Sequence, residues 1–196
     1  MNTFCLSIDP GLINFGIGIF AVLDGEQQIS IIKKGNYNLY YIHKRKLDVH
    51  KLNQILKKYV TRLNDELELS ISLGKNCLVY IIIENQMANN FKVKSVFDIC
   101  LGYLFHYKLI TEKNNLNNDK FIILFEDIKD WIFNPKLFKT LIEINQKKNR
   151  TARINFVNRI FNNRQIFTDD HTADCLIMFL VKIGYFEDFV NNFYHL

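Results

Sequence analysis

The chain has 196 residues, of which 48% are hydrophobic, 23% charged and 14% aromatic; a globule of that size buries about 70% of its surface and needs no disulfide or structural metal to hold a core. Eight glycines and two prolines, with no repeat, linker-like or low-complexity stretch, argue against a second domain, so residues 1–196 are read as one. The net charge is +5. No apolar run reaches the roughly 18 residues of a membrane span, and MNTFCLSID lacks the basic and apolar regions of a signal peptide, which leads us to expect an intracellular protein.

In chain order, FCLSID, FGIGIFAV and QISIIKKG read as an antiparallel meander, with Asp24-Gly25 as the hairpin turn between the second and third runs. Leu52, Ile55, Leu56, Tyr59 and Leu63 recur at helical spacing and predict an amphipathic helix over about 46–69. LVYIIIE is a continuous, β-branched apolar run, as expected of a strand buried on both faces. A helix over 93–111, a strand at FIILFE, one or two helices within 136–162 and a last helix over 169–190 follow. A meander followed by alternating helices and strands predicts an α/β fold with a mixed five-stranded sheet and helices on both faces. The cysteines, Cys5, Cys77, Cys100 and Cys175, are scattered in apolar segments and read as reduced core residues.

Charge is unevenly placed. Between Lys33 and Arg62 stand nine basic residues against Asp48, and between Lys136 and Arg164 eight against Glu143. Basic surface interleaved with Tyr37, Tyr40, Tyr41 and Phe156 suits a polyanion such as nucleic acid. The abundance of Asn, Ile, Lys and Phe points to an AT-rich coding genome and leans toward a virus.

The carboxylates fall at element ends. Asp9 closes the first strand ahead of Pro10-Gly11, and Glu84 closes YIIIE ahead of Asn85-Gln86. If the two strands are neighbours, their carboxylates meet at one edge of the sheet. Near the end of the chain, TDDHTADCLIMFL sets Asp170, His171 and Asp174 on the first turns of a helix whose other face is apolar. Singly, these residues suit turn, ion-pair or helix-capping roles. Together, several carboxylates and a histidine at one point repel unless cations neutralise them, and such oxygen-rich donors suit Mg²⁺ or Mn²⁺. Two such ions perform phosphodiester hydrolysis.

With these motifs in order, SIDPGLINFGIGIF, IIIENQ and DHTADCLIMFL, the sequence resembles the RuvC-like Holliday junction resolvases of the RNase H-like superfamily, including the poxviral and fungal mitochondrial enzymes. The resemblance implies an RNase H-like fold, a homodimer, and symmetric nicking of a four-way DNA junction with two Mg²⁺ or Mn²⁺ ions per site. It implies metal-ligand roles for Asp9, Glu84 and Asp174. His171 stands where most members carry aspartate, and imidazole also binds these ions; Asp170 is an additional candidate ligand. Asn85, Gln86, Asn90 and Phe91 stand where the family meets DNA near the crossover, with Phe91 read as a stacking wedge or a core side chain. Lys129 lies near a lysine position of bacterial members, and Lys147, Lys148, Arg150 and Arg153 match their basic segment, as phosphate ligands or as solvated surface charge.

Two other functions compete. An RNase H-like nuclease could act on RNA or an RNA–DNA hybrid, because the metal site does not distinguish sugars. A non-catalytic nucleic-acid scaffold would not need Asp9, Glu84 and Asp174. The helix over 93–111 carries apolar residues on two faces, Val96, Ile99, Cys100, Tyr103 and Leu104 on one and Val93, Phe97, Leu101 and Phe105 on the other, which makes it the leading dimer surface.

Overall fold

The computed structural model describes residues 1–24, 29–41, 46–85, 91–115, 122–133, 150–162 and 164–184. Strand β1 (Asn2–Asp9) turns at Pro10-Gly11 into β2 (Phe15–Val22). An added Cβ at Gly11 would lie 2.1 Å from the Asn14 carbonyl oxygen, so this turn closes only on glycine. The edge strand β3 (Ile29–Tyr37) pairs antiparallel with β2, and β4 (Tyr40–Tyr41) and β5 (Lys46–Leu47) form a small separate ladder. Helix α1 (Val49–Ser72) follows, started by Asp48, whose carboxylate accepts from the Lys51 amide at 2.9 Å. Then come β6 (Cys77–Glu84), α2 (Phe91–Asn115), β7 (Ile123–Phe125), a 3-10 turn (Ile128–Trp131), β8 (Ile132–Phe133), α3 (Arg150–Ile160) and α4 (Asp170–Lys182).

The main sheet has the order β3-β2-β1-β6-β7, with β8 also on β6. β1 and β2 are antiparallel, whereas β6 runs parallel to β1 and both β7 and β8 run parallel to β6. β7 lies against the start of β6 and β8 against its end, so the sheet is five strands wide with an interrupted fifth position. The interruption is anchored by Trp131, which is fully buried and donates its indole N–H to the Glu126 carbonyl at 3.0 Å.

Side-chain alternation divides the core into two layers. Phe4, Leu6 and Ile8 of β1 face the same side as Val79, Ile81 and Ile83 of β6, and α1 and α2 cover them with Leu56, Tyr59, Leu63, Val96, Cys100 and Leu104. Cys5 and Ile82 face the other side, under Leu176, Phe179 and Leu180 of α4 and Val157 of α3. The mixed sheet with helices on both faces is therefore as expected, and all four cysteines are buried and free. No helix among the described residues is long and apolar enough to cross a membrane.

Two ends in particular differ from expectation, those of FIILFE and of the last helix. Of the described residues of FIILFE, Ile123–Phe125 form the strand; the Glu126 amide still donates to the Val79 carbonyl at 3.3 Å, and the chain then turns away into the 3-10 turn at Ile128. α4 ends at Lys182 rather than 190, with Gly184 at φ 75 just beyond it, the left-handed conformation that stops a helix. Of the segment 136–162, α3 is the described part, and 136–149 lies outside the described residues.

Candidate active site

Because β1 and β6 are parallel neighbours with Ile8 opposite Ile83, Asp9 and Glu84 leave the sheet side by side at strand ends roughly 4.8 Å apart. The alternation that sends Cys5 and Ile82 to the α4 face sends both carboxylates there too. The first turn of α4 comes down onto the same spot. Asp169 caps the helix, accepting from the Thr172 amide at 2.9 Å and the Thr172 hydroxyl at 2.7 Å, and Asn36 of β3 donates to it at 3.3 Å. Gly16, opposite Asp9 in β2, lets the helix land: an added Cβ there would sit 2.8 Å from the His171 carbonyl oxygen and 2.9 Å from its Cβ. Gly16 and Asn36 are positioning residues that the sequence reading passed over, although a glycine inside a strand does signal close approach.

His171 reaches the sheet directly, with Nδ1 2.6 Å from Asp9 Oδ2. Toward a carboxylate Nδ1 is the donor, and in the neutral imidazole Nε2 then keeps its lone pair. Nε2 is buried without a hydrogen-bond partner, 3.7 Å from Asp170 Oδ1. Asp174 lies one turn further along the same helix face. Arg153 of α3 closes the cluster, with Nη2 2.7 Å from Asp170 Oδ2 and Nε 3.3 Å from Asp174 Oδ1. The latter contact is too poorly aligned for a hydrogen bond, so Arg153 Nε and Asp174 Oδ1 are both buried without a hydrogen-bond partner. Arg150 Nε stands 3.3 Å from Asp170 Oδ2.

The electrostatics are those of acids held too close together. Burial and the Asp9 charge, with a side-chain hydrogen bond to Asp9, push Glu84 up to about 9. Burial likewise lifts Asp174 to about 7, with Arg153 pulling down and Asp9 and Asp170 pushing up. The hydrogen bond to Asp9 raises His171 above its ordinary value against the opposing effect of burial.

As the side chains stand, no group of three or more His, Cys, Asp or Glu among the described residues is arranged to hold a metal ion. Asp174 is turned toward Arg153, and His171 Nδ1 is spent on Asp9. The donor chemistry nevertheless fits a hard divalent cation: three carboxylates and an imidazole, two of the acids disfavoured as anions in each other's company, and orphaned acceptors at Asp174 Oδ1 and His171 Nε2. A cation would supply the missing countercharge once Arg153 gives way.

The remaining sequence-derived residues separate into three groups. Arg150 and Arg153 come to the cluster, as partners of Asp170 and Asp174. Asn85, Phe91 and Lys129 lie on the surface: Asn85 is exposed and its amide donates to the Phe133 carbonyl at 2.8 Å, Phe91 opens α2 with 81% of its surface exposed, and Lys129 pairs with Asp127 at 3.4 Å. That exposure excludes the core role for Phe91. Gln86, Asn90, Lys147 and Lys148 lie outside the described residues.

No protein-family model matches the chain. A search of curated proteins likewise returns no match. Among solved structures it is similar to Thermus thermophilus RuvC, at 14% identity over 93% of this chain and 97% of that one, with a TM-score of 0.53. It is also similar to the fowlpox virus Holliday junction resolvase, at 15% identity over 94% and 99% of the two chains and a TM-score of 0.40. For the yeast mitochondrial Holliday junction resolvase the figures are 15% identity, 93% and 77%, and 0.45. The RuvC likeness, together with the strand order β3-β2-β1-β6-β7 and the helices on both faces, establishes that this chain has the RNase H-like fold in its RuvC-like form.

Proposed function

We propose that this protein is a structure-selective DNA endonuclease that resolves four-way junctions by paired symmetric nicks, acting as a homodimer with one site per subunit. The observation that carries this reading is the meeting of Asp9, Glu84, His171 and Asp174 at one edge of an RNase H-like sheet. Asp9, Glu84, His171 and Asp174 would hold two Mg²⁺ or Mn²⁺ ions, with Asp170 as a further candidate. When bound, such ions make a nucleophile of water and stabilise the leaving oxygen of a phosphodiester.

The chain's own side chains do the rest. β1 and β6 fix Asp9 and Glu84 on a rigid sheet, which keeps the donors in place when DNA arrives. The carboxylate of Asp9 orients the His171 ring, and Asp170 holds Arg153 beside the cluster. Arg150, whose side chain is 74% exposed, can swing outward to a phosphate oxygen, and Arg153, on leaving Asp174, keeps its contact with Asp170. Asn85, Gln86, Asn90, Lys129, Lys147 and Lys148 are proposed as further DNA contacts, and exposed Phe91 as the residue that stacks on an unpaired base.

The homodimer is proposed through α2. One of its faces is spent on the sheet, and of the expected second face Val93 is buried while Phe97 and Leu101 pack on the same core; Phe105, together with Leu109 and Ile110, is left exposed, at 40%, 48% and 46%. The test of the whole reading is a metal-dependent nicking assay comparing a four-way junction with linear duplex, a flap and an RNA–DNA hybrid. Cleavage confined to the junction, at symmetric positions, supports it. Preference for the hybrid would turn the reading to an RNase H-like activity, and metal-independent binding without cleavage would turn it to a scaffold.

A further inference from the structure

The sequence marked a basic stretch between Lys33 and Arg62 that the site described above leaves unused. The fold gathers part of it into one groove of about 450 Å³ between the edge strand β3 and α1, lined by Lys33, Lys57, Lys58, Thr61 and Arg62 with Asp65 as the one carboxylate. Lys57, Lys58, Thr61, Arg62 and Asp65 fall at i, i+1, i+4, i+5 and i+8, a continuous stripe beside the apolar stripe of Leu56, Tyr59 and Leu63 that fixes the helix to the sheet. Lys33 comes from β3 and projects to the same face, its ammonium 5.2 Å from the centre of the Tyr59 ring.

These cations are poorly compensated. Arg62 pairs with Glu66, but among the described residues no carboxylate stands within ion-pair distance of Lys33, Lys57 or Lys58. Partial burial and the nearby charges of Lys58 and Arg62 lower the Lys33 ammonium from its ordinary range, with Asp65 opposing them only in part. Concentrated like charge with few counter-ions costs folding free energy and serves an anion that comes from outside. The cations form a line along the helix, roughly 8 Å from Lys57 to Arg62, and the groove is open. That geometry suits a run of phosphates better than one compact anion.

The groove also lies next to the active-site edge. Lys33 is three residues before Asn36, which bonds the capping carboxylate of α4, so along β3 the two are about 10 Å apart. The active site is on the α4 face and the groove on the α1 face, and β3 is the border between them. Lysines on an edge strand can serve only to block strand pairing, but Lys33 lies over Tyr59, and Lys57 and Lys58 are on a helix. We propose that this β3–α1 groove is a second DNA surface, binding the phosphate backbone of a duplex arm where it leaves the catalytic edge; this rests on the junction-nuclease reading above.

The experiment measures binding of the full chain to four-way junctions with long or shortened arms by fluorescence anisotropy over a range of salt, for wild type and for Lys33→Gln/Lys57→Gln/Lys58→Gln. The triple variant should bind the long-armed junction about tenfold or more weakly, with the slope of log affinity against log salt reduced by about 2 to 3. Its binding of the short-armed junction should change by no more than about twofold, and its far-UV CD should match wild type. If the triple variant misfolds, Lys57→Gln/Lys58→Gln, at two exposed helix positions, replaces it with an expected slope change of about 2. An unchanged slope, or an equal loss on both junctions, would overturn the groove. Metal-dependent nicking by the wild type is scored separately. Nicking without a slope change sinks the groove alone, whereas groove-dependent DNA binding without nicking sinks the nuclease reading alone.

Discussion

His171 and Asp170 are adjacent in the chain, yet their side chains meet different partners: His171 lies on Asp9, while Asp170 is held by Arg150 and Arg153. The sequence left open which of them joins Asp9, Glu84 and Asp174, and this geometry favours His171 as the ligand and Asp170 as the buttress of Arg153. His171→Ala should therefore lower nicking by about 100-fold or more, the scale expected when a participant in proton transfer or charge stabilisation is lost. His171→Asp should retain cutting with Mg²⁺, and Asp170→Asn should lose less than His171→Ala. An inactive Asp170→Asn beside a competent His171→Ala would reverse the assignment. Because the bond to Asp9 raises His171, and a ligand imidazole must be neutral, nicking should fall as pH drops through a midpoint above the ordinary 6.5. Asp9→Asn, Glu84→Gln and Asp174→Asn should each abolish nicking while junction affinity stays within a few-fold, since phosphate contacts made elsewhere supply most of the binding. Full cutting by any of the three would remove that residue from the site.

Among the secondary elements, α4 is the one whose placement decides whether a site exists, and Gly16 is the position where that placement is most exposed to a single change. Gly16→Val should push the His171 turn off the sheet. It should weaken Mn²⁺ binding, read by electron paramagnetic resonance, together with nicking; unchanged Mn²⁺ affinity would mean that the helix start does not matter to the site. α2 poses a different question. Gly102 sits in the middle of this long helix, where glycine costs about 1 kcal/mol relative to alanine, and a Cβ there would meet nothing within 4 Å. Nothing among the described residues requires it, whereas close approach of a second α2 would. If the proposed dimer forms through α2, Gly102→Trp should make the protein a monomer in sedimentation without lowering thermal stability by more than a few degrees, and a dimer that survives would move the interface elsewhere. These two helices also mark what was legible in the sequence. The strands that end in Asp9 and Glu84 were plain because continuous apolar runs closing in a carboxylate have one reading, and so were the amphipathic stripe of α1 and the motif DHTADCLIMFL. The contacts of Gly16, Asn36 and Arg153 were not legible, since each depends on segments far apart in the chain meeting in space. β8 was equally hidden, because two residues carry too little periodicity to announce a strand.

For the molecule as a whole, the carboxylate cluster is a cost to folding that depends on pH. Glu84 is raised from 4.5 to about 9, Asp174 from 3.8 to about 7, and His171 upward from 6.5. In each case the folded state binds its proton more tightly than the unfolded chain does, so the associated stability is fully present below the unfolded value and is lost as pH rises through the folded one. All three have the same sign, and their windows together span about pH 4 to 9. With a chelator present, the melting temperature should fall across this range, most steeply between about pH 4.5 and 7, where the folded state still holds the Glu84 and Asp174 protons that the unfolded chain has released, and less steeply from 7 to 9, where Glu84 still contributes. Glu84→Gln removes the largest of these contributions and should melt higher than wild type at the alkaline end, by about 2–4 °C for each kcal/mol relieved in a chain of this length. Mg²⁺ or Mn²⁺ acts in the opposite sense, because an ion that binds the deprotonated donors stabilises the folded state by mass action, more strongly the higher the pH. The gap between melting temperatures with and without the divalent ion should therefore widen as pH rises in the wild type and shrink in Glu84→Gln. Binding should release protons, seen calorimetrically as a heat that varies with the ionisation enthalpy of the buffer. A melting temperature indifferent to pH over 5 to 9 under chelation, or a divalent shift no greater at the alkaline end, would mean that these carboxylates do not share one charge-frustrated site, and the metal-dependent mechanism would fall with it.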